Sequence, residues 1–127
     1  MILYHGTDLD SALNILNHGL DVNELSLLQA GRPTQMGSGW YAAMEPEAAW
    51  FFASLAPGNR GNGHTVLELE LPAEMVNQLV ESGQAVITVI RNVPFVAQQI
   101  RFDYATFVTL NSKGVFRPCQ SKEGING

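Results

Sequence analysis

The chain has 127 residues, of which 46% are hydrophobic and 15% charged, and its 12 acidic against 7 basic side chains leave a net charge of −5. This is the composition of one globular domain; disorder is excluded, and the acidic balance offers nucleic acid no electrostatic footprint beyond a local basic spot. No apolar run reaches the ~18 residues that span a bilayer and no charged-then-apolar leader opens the chain, so a soluble protein is expected, while the single Cys119 excludes an internal disulfide and suits a reducing compartment.

In chain order, Ile2–Tyr4 reads as a short strand. Asp8 or Asp10 can cap the following helix, whose stripe is Leu9, Ala12, Leu13, Ile15 and Leu16, and Gly19-Leu20 is a helix-ending pair. Residues 21–38 have no steady period and hold Gly31, Pro33, Gly37 and Ser38, which predicts a long loop acting as a flap. Residues 39–43 read as a strand, and Pro46 opens a helix with Trp50, Phe51 and Phe52 expected in the core. After a turn-rich connector, residues 64–71 alternate, with Thr65, Leu67, Leu69 and Leu71 inward and Glu68 and Glu70 on a solvated face. Pro72–Ser82 reads as a helix stopped by Gly83. Val86–Ile90, Gln99–Phe102, Phe107–Leu110 and Val115–Phe116 are read as strands. This order predicts an α+β fold with largely antiparallel pairing.

Three strand-associated places are unexpectedly polar: Tyr4–Thr7, Ser38–Tyr41 and Gln98-Gln99. The first contains His5-Gly6-Thr7 and is followed by a helix ending in Gly19-Leu20. The second is Gly37-Ser38-Gly39-Trp40-Tyr41-Ala42-Ala43, followed by a helix of small and aromatic residues. In this order the motifs resemble the ADP-ribosyltransferase superfamily, in the diphtheria-toxin and PARP-like branch with a His-Tyr-Glu triad. The resemblance runs from Leu3 to about Phe102. It implies two mainly antiparallel sheets around an NAD cleft with flanking helices, a catalytic domain over 1–118 and a tail over 119–127. NAD is implied as substrate and no metal is expected, since no His and carboxylate set has ligand spacing.

The resemblance assigns His5, as a donor, to a hydroxyl of the adenosine ribose, Gly6 to both ends of the nicotinamide carboxamide through its backbone, and Tyr41 to the nicotinamide ring as a stacking face. Thr7 and Gly39 join the NAD-binding set, and Arg32 is placed to meet a phosphate. The departure comes at the third triad position, where the family's glutamate is replaced by an amide. Gln99 is preferred over Gln98, because Gln99 through Phe102 followed by Leu110-Asn111 fits the pattern of related toxin domains. A glutamine can accept from a ribose hydroxyl but sets no charge against a developing cation; Glu24 is an alternative acid.

The implied function is a mono-ADP-ribosyltransferase that cleaves NAD and passes ADP-ribose to a macromolecular acceptor, a protein on charge grounds. A bacterial toxin or effector domain is implied, acting in a cytoplasm to which a secretion system delivers it, with an immunity or antitoxin protein as partner. Two alternatives stand beside it. One is a non-catalytic module binding NAD or ADP-ribose; the other is an RNA 2′-phosphotransferase of similar fold, which would need its scattered arginines gathered around phosphates. His18 and His64 are read as structural or surface residues.

Overall fold

The structure, a computed structural model, describes residues 1–21, 39–55, 63–91 and 96–120. In chain order they form β1 (Ile2–Asp8), α1 (Leu9–His18), β2 (Trp40–Ala43), α2 (Pro46–Ser54), β3 (His64–Glu70), α3 (Ala73–Glu81), β4 (Ala85–Ile90) and β5 (Ala97–Phe102). A single 3-10 turn (Tyr104–Thr106), α4 (Phe107–Lys113) and β6 (Val115–Pro118) complete them. The fold is α+β.

The strands make one six-stranded antiparallel sheet in the order β4-β5-β2-β1-β3-β6, where the sequence had suggested two sheets. The sheet is nonetheless uneven. β1 pairs with β3 along seven residues, from Ile2↔Glu70 to Asp8↔His64, and β2 pairs with β5 over four. Between β1 and β2 there is one pair, Tyr4↔Ala43. Two three-stranded halves therefore meet at a narrow seam in the middle of the sheet.

Side chains alternate between the two faces of each strand. Leu3, Trp40, Ala42, Leu69, Ile100 and Phe102 share one buried cluster, which takes in Val76 and Leu79 of α3 and Phe107 and Leu110 of α4, with Ile15 of α1 packed against it. The opposite face is covered by α2, whose Ala48, Ala49 and Ala53 pack with Ala43 and Val66. We call these the α1 face and the α2 face.

Local chemistry explains the ends of the elements. Asp8, not Asp10, caps α1, accepting from the Ser11 amide at 2.7 Å and its hydroxyl at 2.9 Å. Gly19 ends α1 at φ 77°, a backbone region that favours glycine, with its amide bonded to the Ile15 carbonyl at 2.7 Å. Pro46 opens α2 at its first helical position.

Four sequence expectations are corrected. Phe107–Leu110 is the start of helix α4, not a strand: Phe107 and Leu110, three apart, are buried while Val108 is 79% exposed. α2 buries its alanines, and Trp50, Phe51 and Phe52 are only half-buried, because α2 lies so close on β1 that even a Cβ on Gly6 would strike its backbone. On α1 Ala12 is buried and Ile15 is half-buried against the core, while Leu9 and Leu13 are exposed. Glu68 is buried, at 5% exposure, and its carboxylate accepts from Arg117 Nε at 2.9 Å and from the Gln120 amide at 3.0 Å. These bonds hold its carboxyl below the usual glutamate range, the backbone amide contributing most. Together with the Cys119 amide, which donates to the Val66 carbonyl at 3.0 Å, they tie the chain beyond β6 to β3.

Candidate functional site at the central seam

The ladder dictates where peptide groups point. The Met1 amine and carbonyl both bond Leu71, and the Leu9 amide donates to the Gly63 carbonyl, so odd-numbered residues of β1 direct their N–H and C=O towards β3. Tyr4 and Gly6 then direct theirs towards β2. Tyr4 finds Ala43; the next pair in register would be Gly6 with Tyr41, and it is not made. In its place His5 Nδ1 lies 2.5 Å from the Tyr41 carbonyl. A side chain bonds the carbonyl that would have continued the ladder, and Gly6 lies beyond the last β1–β2 ladder pair.

His5 is held from a second side. Its ring stacks on Trp40, with centroids 4.4 Å apart and planes inclined by 28°. Desolvation in this setting lowers its pKa from 6.5 to about 4, so the imidazole is neutral at pH 7. With Nδ1–H donating to the Tyr41 carbonyl, Nε2 carries a lone pair and acts as an acceptor. The resemblance implied that His5 donates to a ribose hydroxyl; in this tautomer Nε2 can only accept a hydrogen bond.

His5, Thr7 and Trp40 line a cleft on the α1 face together with Ser11, Asn14 and Ile15 of α1, the following Gly19, Leu20 and Asp21, and Phe107 of α4. Among the described residues no lysine or arginine lines it, and the surface is mostly apolar with imidazole, hydroxyl, amide and carboxylate groups set into it. The cavity volume is about 70 Å³, below the roughly 300–1,000 Å³ of a complete small-molecule pocket.

Tyr41 and Gln99 lie on the other face. Tyr41 shares its side of β2 with Ala43, which packs under α2, and Gln99 stands directly opposite Ala43 on β5. Both are half-buried. Gln98 points to the opposite face and is exposed; its carbonyl accepts from the Met44 amide at 3.1 Å. Gly6 faces α2 so closely that a Cβ there would strike the Ala49 carbonyl and come within 2.8 Å of the Ala53 nitrogen. Gly39 is buried, and a Cβ on it would stand 2.5 Å from the Phe102 carbonyl. The residues singled out from the sequence thus sit on or beside the adjacent strands β5, β2 and β1, but on both faces of the sheet. His5 and Thr7 look towards α1, Tyr41 and Gln99 towards α2, and the peptide edge of Gly6 lies between. Arg32, Glu24 and the expected flap fall outside the described residues.

The sequence reading missed Trp40, Ser11 and Asn14 as site residues. Trp40 was legible in principle, since a residue next to Tyr41 in a strand must face the other way. Ser11 and Asn14 are three apart on α1, a polar pair beside its apolar stripe.

Two arginines are already engaged. Arg101 pairs with Asp103 at 2.5 Å, and Arg117 with Glu68 and Glu70, each at 2.9 Å. Among the described residues no three His, Cys, Asp or Glu side chains gather to hold a metal ion, and no helix is long and apolar enough to cross a membrane. Comparison with protein-family models, curated proteins and solved structures finds no match.

Proposed function

We propose that the chain is a mono-ADP-ribosyltransferase domain that binds NAD across the central seam. One observation carries this reading: the β1–β2 ladder stops at Tyr4↔Ala43, where the His5 side chain bonds the Tyr41 carbonyl, so the peptide of Gly6 lies beyond the last ladder pair, between His5 on one side and Tyr41 on the other. A carboxamide is flat and has one donor and one acceptor end, the complement of such a peptide edge. Tyr41 supplies a ring for the nicotinamide, and the neutral His5 accepts from a ribose hydroxyl. The cleft beside His5 takes one ring of the dinucleotide, and the rest lies along the seam.

In the reaction the bond between ribose C1′ and the nicotinamide nitrogen breaks, its electron pair leaving with nicotinamide. The ribose becomes an oxocarbenium ion, and an acceptor nucleophile adds to C1′ and gives up its proton. Gln99 orients the ribose hydroxyl with its amide oxygen and adds no charge, so turnover is slow beside that of an enzyme with a carboxylate there. The fold is read as ADP-ribosyltransferase-like, its two half-sheets flanking the NAD site. The acceptor is read as a protein, and a toxin or effector role with an immunity partner follows from the resemblance alone.

The test is incubation with NAD, following free nicotinamide, with mass spectrometry of a treated lysate to find the added ADP-ribose. Nicotinamide release that His5→Ala abolishes supports the enzyme. NAD binding without release supports the binding module, which the neutral Gln99 favours as second reading. The engaged Arg101 and Arg117 speak against a phosphotransferase, and the absence of NAD binding would overturn both NAD readings.

A further inference from the structure

Asn111 stands at the exposed end of α4, yet its carboxamide is committed on both sides to one residue far back in the chain. Its Oδ1 accepts from the Leu20 amide at 2.8 Å, and its Nδ2 donates to the Leu20 carbonyl at 2.9 Å. Among short side chains only a carboxamide offers donor and acceptor in this spacing, so Asn111 behaves towards Leu20 as a strand neighbour would. Gly19 completes the fit. A Cβ there would lie 2.8 Å from Asn111 Oδ1, so its missing side chain lets the amide lie flat against the chain, in addition to permitting φ 77°.

The segment so held is a wall of the cleft. Gly19, Leu20 and Asp21 all line it, as does Phe107 from the first turn of α4. Leu20 is anchored inward in the core at 7% exposure, and Asn111 pins its backbone from outside. One helix therefore supplies part of the cleft through Phe107 and holds the Gly19–Asp21 segment through Asn111.

We propose that Asn111 is a positioning residue for ligand binding: it holds the Gly19–Asp21 rim at the width the ligand's ring requires, and does not touch the ligand itself. The proposal rests on the reading of the cleft as part of the NAD site. Because Asn111 is exposed, water can replace both hydrogen bonds when the amide is removed. Folding then loses little, while the rim loses its fixed place and binding must order it again.

The experiment compares the full chain with Asn111→Ala and Asn111→Asp. Amide exchange at Leu20 is followed by NMR, and NAD affinity and turnover are measured alongside. The aspartate keeps an acceptor for the Leu20 amide but turns a second oxygen on the Leu20 carbonyl, so it tests the donor half alone and serves if the alanine variant folds poorly. In Asn111→Ala the Leu20 amide should exchange at least about tenfold faster and NAD bind about tenfold more weakly, with kcat unchanged. In Asn111→Asp the amide should stay protected while NAD binding weakens. Unchanged exchange at Leu20 in the alanine variant would overturn the clamp. Faster exchange with unaltered NAD affinity would overturn the positioning role, as would a fall in kcat equal to the rise in KM. If wild type does not bind NAD, the NAD reading fails, and exchange at Leu20 alone decides whether the clamp exists.

Discussion

His5 and Tyr41 are joined by a bond between a side chain and a backbone carbonyl, 2.5 Å from Nδ1 to oxygen, at the point where β1 and β2 cease to pair. The bond needs a proton on Nδ1, and desolvation of the ring, stacked on Trp40, opposes a second one on Nε2. Charging His5 is therefore opposed by the fold.

That opposition gives a pH dependence. The folded pKa, about 4, lies below the ordinary 6.5, so as pH falls the unfolded chain takes up its proton first. The stability contribution is whole above pH 6.5 and is lost between about 6.5 and about 4. A shift of that size is worth at most about 3–4 kcal/mol, less for the solvent that still reaches the ring. Denaturant titrations from pH 7.5 to 4 should show wild type losing stability faster than His5→Gln, which has no proton to gain. Parallel profiles would place His5 in open solvent.

Glu68 and Glu70 share Arg117 but differ in burial, with side chains 7% and 53% exposed. Glu68→Gln leaves an amide group facing either Arg117 or the Gln120 amide, and a mismatched buried donor costs about 1–3 kcal/mol. Glu70→Gln should stay within about 0.5 kcal/mol, as exposed pairs do. Because the Glu68 carboxyl is held below its usual range, its contribution is present at neutral pH and is lost as pH falls through that lowered value. Thermal melts of both variants at pH 7 check the contrast, and equal melting temperatures would contradict it.

What the sequence discloses follows the range of the interactions involved. The alternation of Leu67 and Leu69 marks β3, and Pro46 and Gly19 mark helix ends, because these signals are local. β1 runs on to Asp8, past its apolar residues, because β3 pairs with it at every position. Phe107-Val108-Thr109-Leu110 carries the β-branched composition of a strand and becomes a helix because Phe107 and Leu110 can be buried together only at a spacing of three. Glu68 resembles a solvated residue until Arg117 is brought opposite it. For the site, the strands bearing His5, Tyr41 and Gln99 were legible from their misplaced polarity. Their division between two faces was not, since it depends on the register across the seam.

Gly6→Ala should destabilise the fold more than the loss of a glycine from a strand would suggest. The new methyl group would overlap the Ala49 carbonyl and crowd Ala53, both backbone or near-backbone atoms of α2, so the helix must lift. Overpacking of this kind costs roughly 1–3 kcal/mol. The melting temperature should fall by several degrees. An unchanged value would mean that α2 yields readily, and then the tightness here is not what requires glycine at position 6.

Gln99 decides between enzyme and binding module, and the structure now separates it from its neighbour. Gln99 shares the α2 face with Tyr41 and stands opposite Ala43, while Gln98 is exposed on the other face. Gln98→Ala should therefore leave NAD turnover unchanged and serves as the control. If the Gln99 amide orients the ribose hydroxyl as the bond to nicotinamide breaks, Gln99→Ala loses more in the transition state than in the ground state. Turnover then falls with NAD affinity nearly constant. Loss of one well-placed oxyanion-hole donor costs about 10²–10³ in rate. Gln99 is neutral and faces a cation, so the low end is expected. Gln99→Glu supplies the missing charge at the same place, and nicotinamide release should rise above wild type, since a carboxylate stabilises the oxocarbenium ion and an amide does not. Equal rates in all four proteins would make Gln99 a bystander. Tight NAD binding without release in any of them, the glutamate variant included, would identify the chain as a binding module.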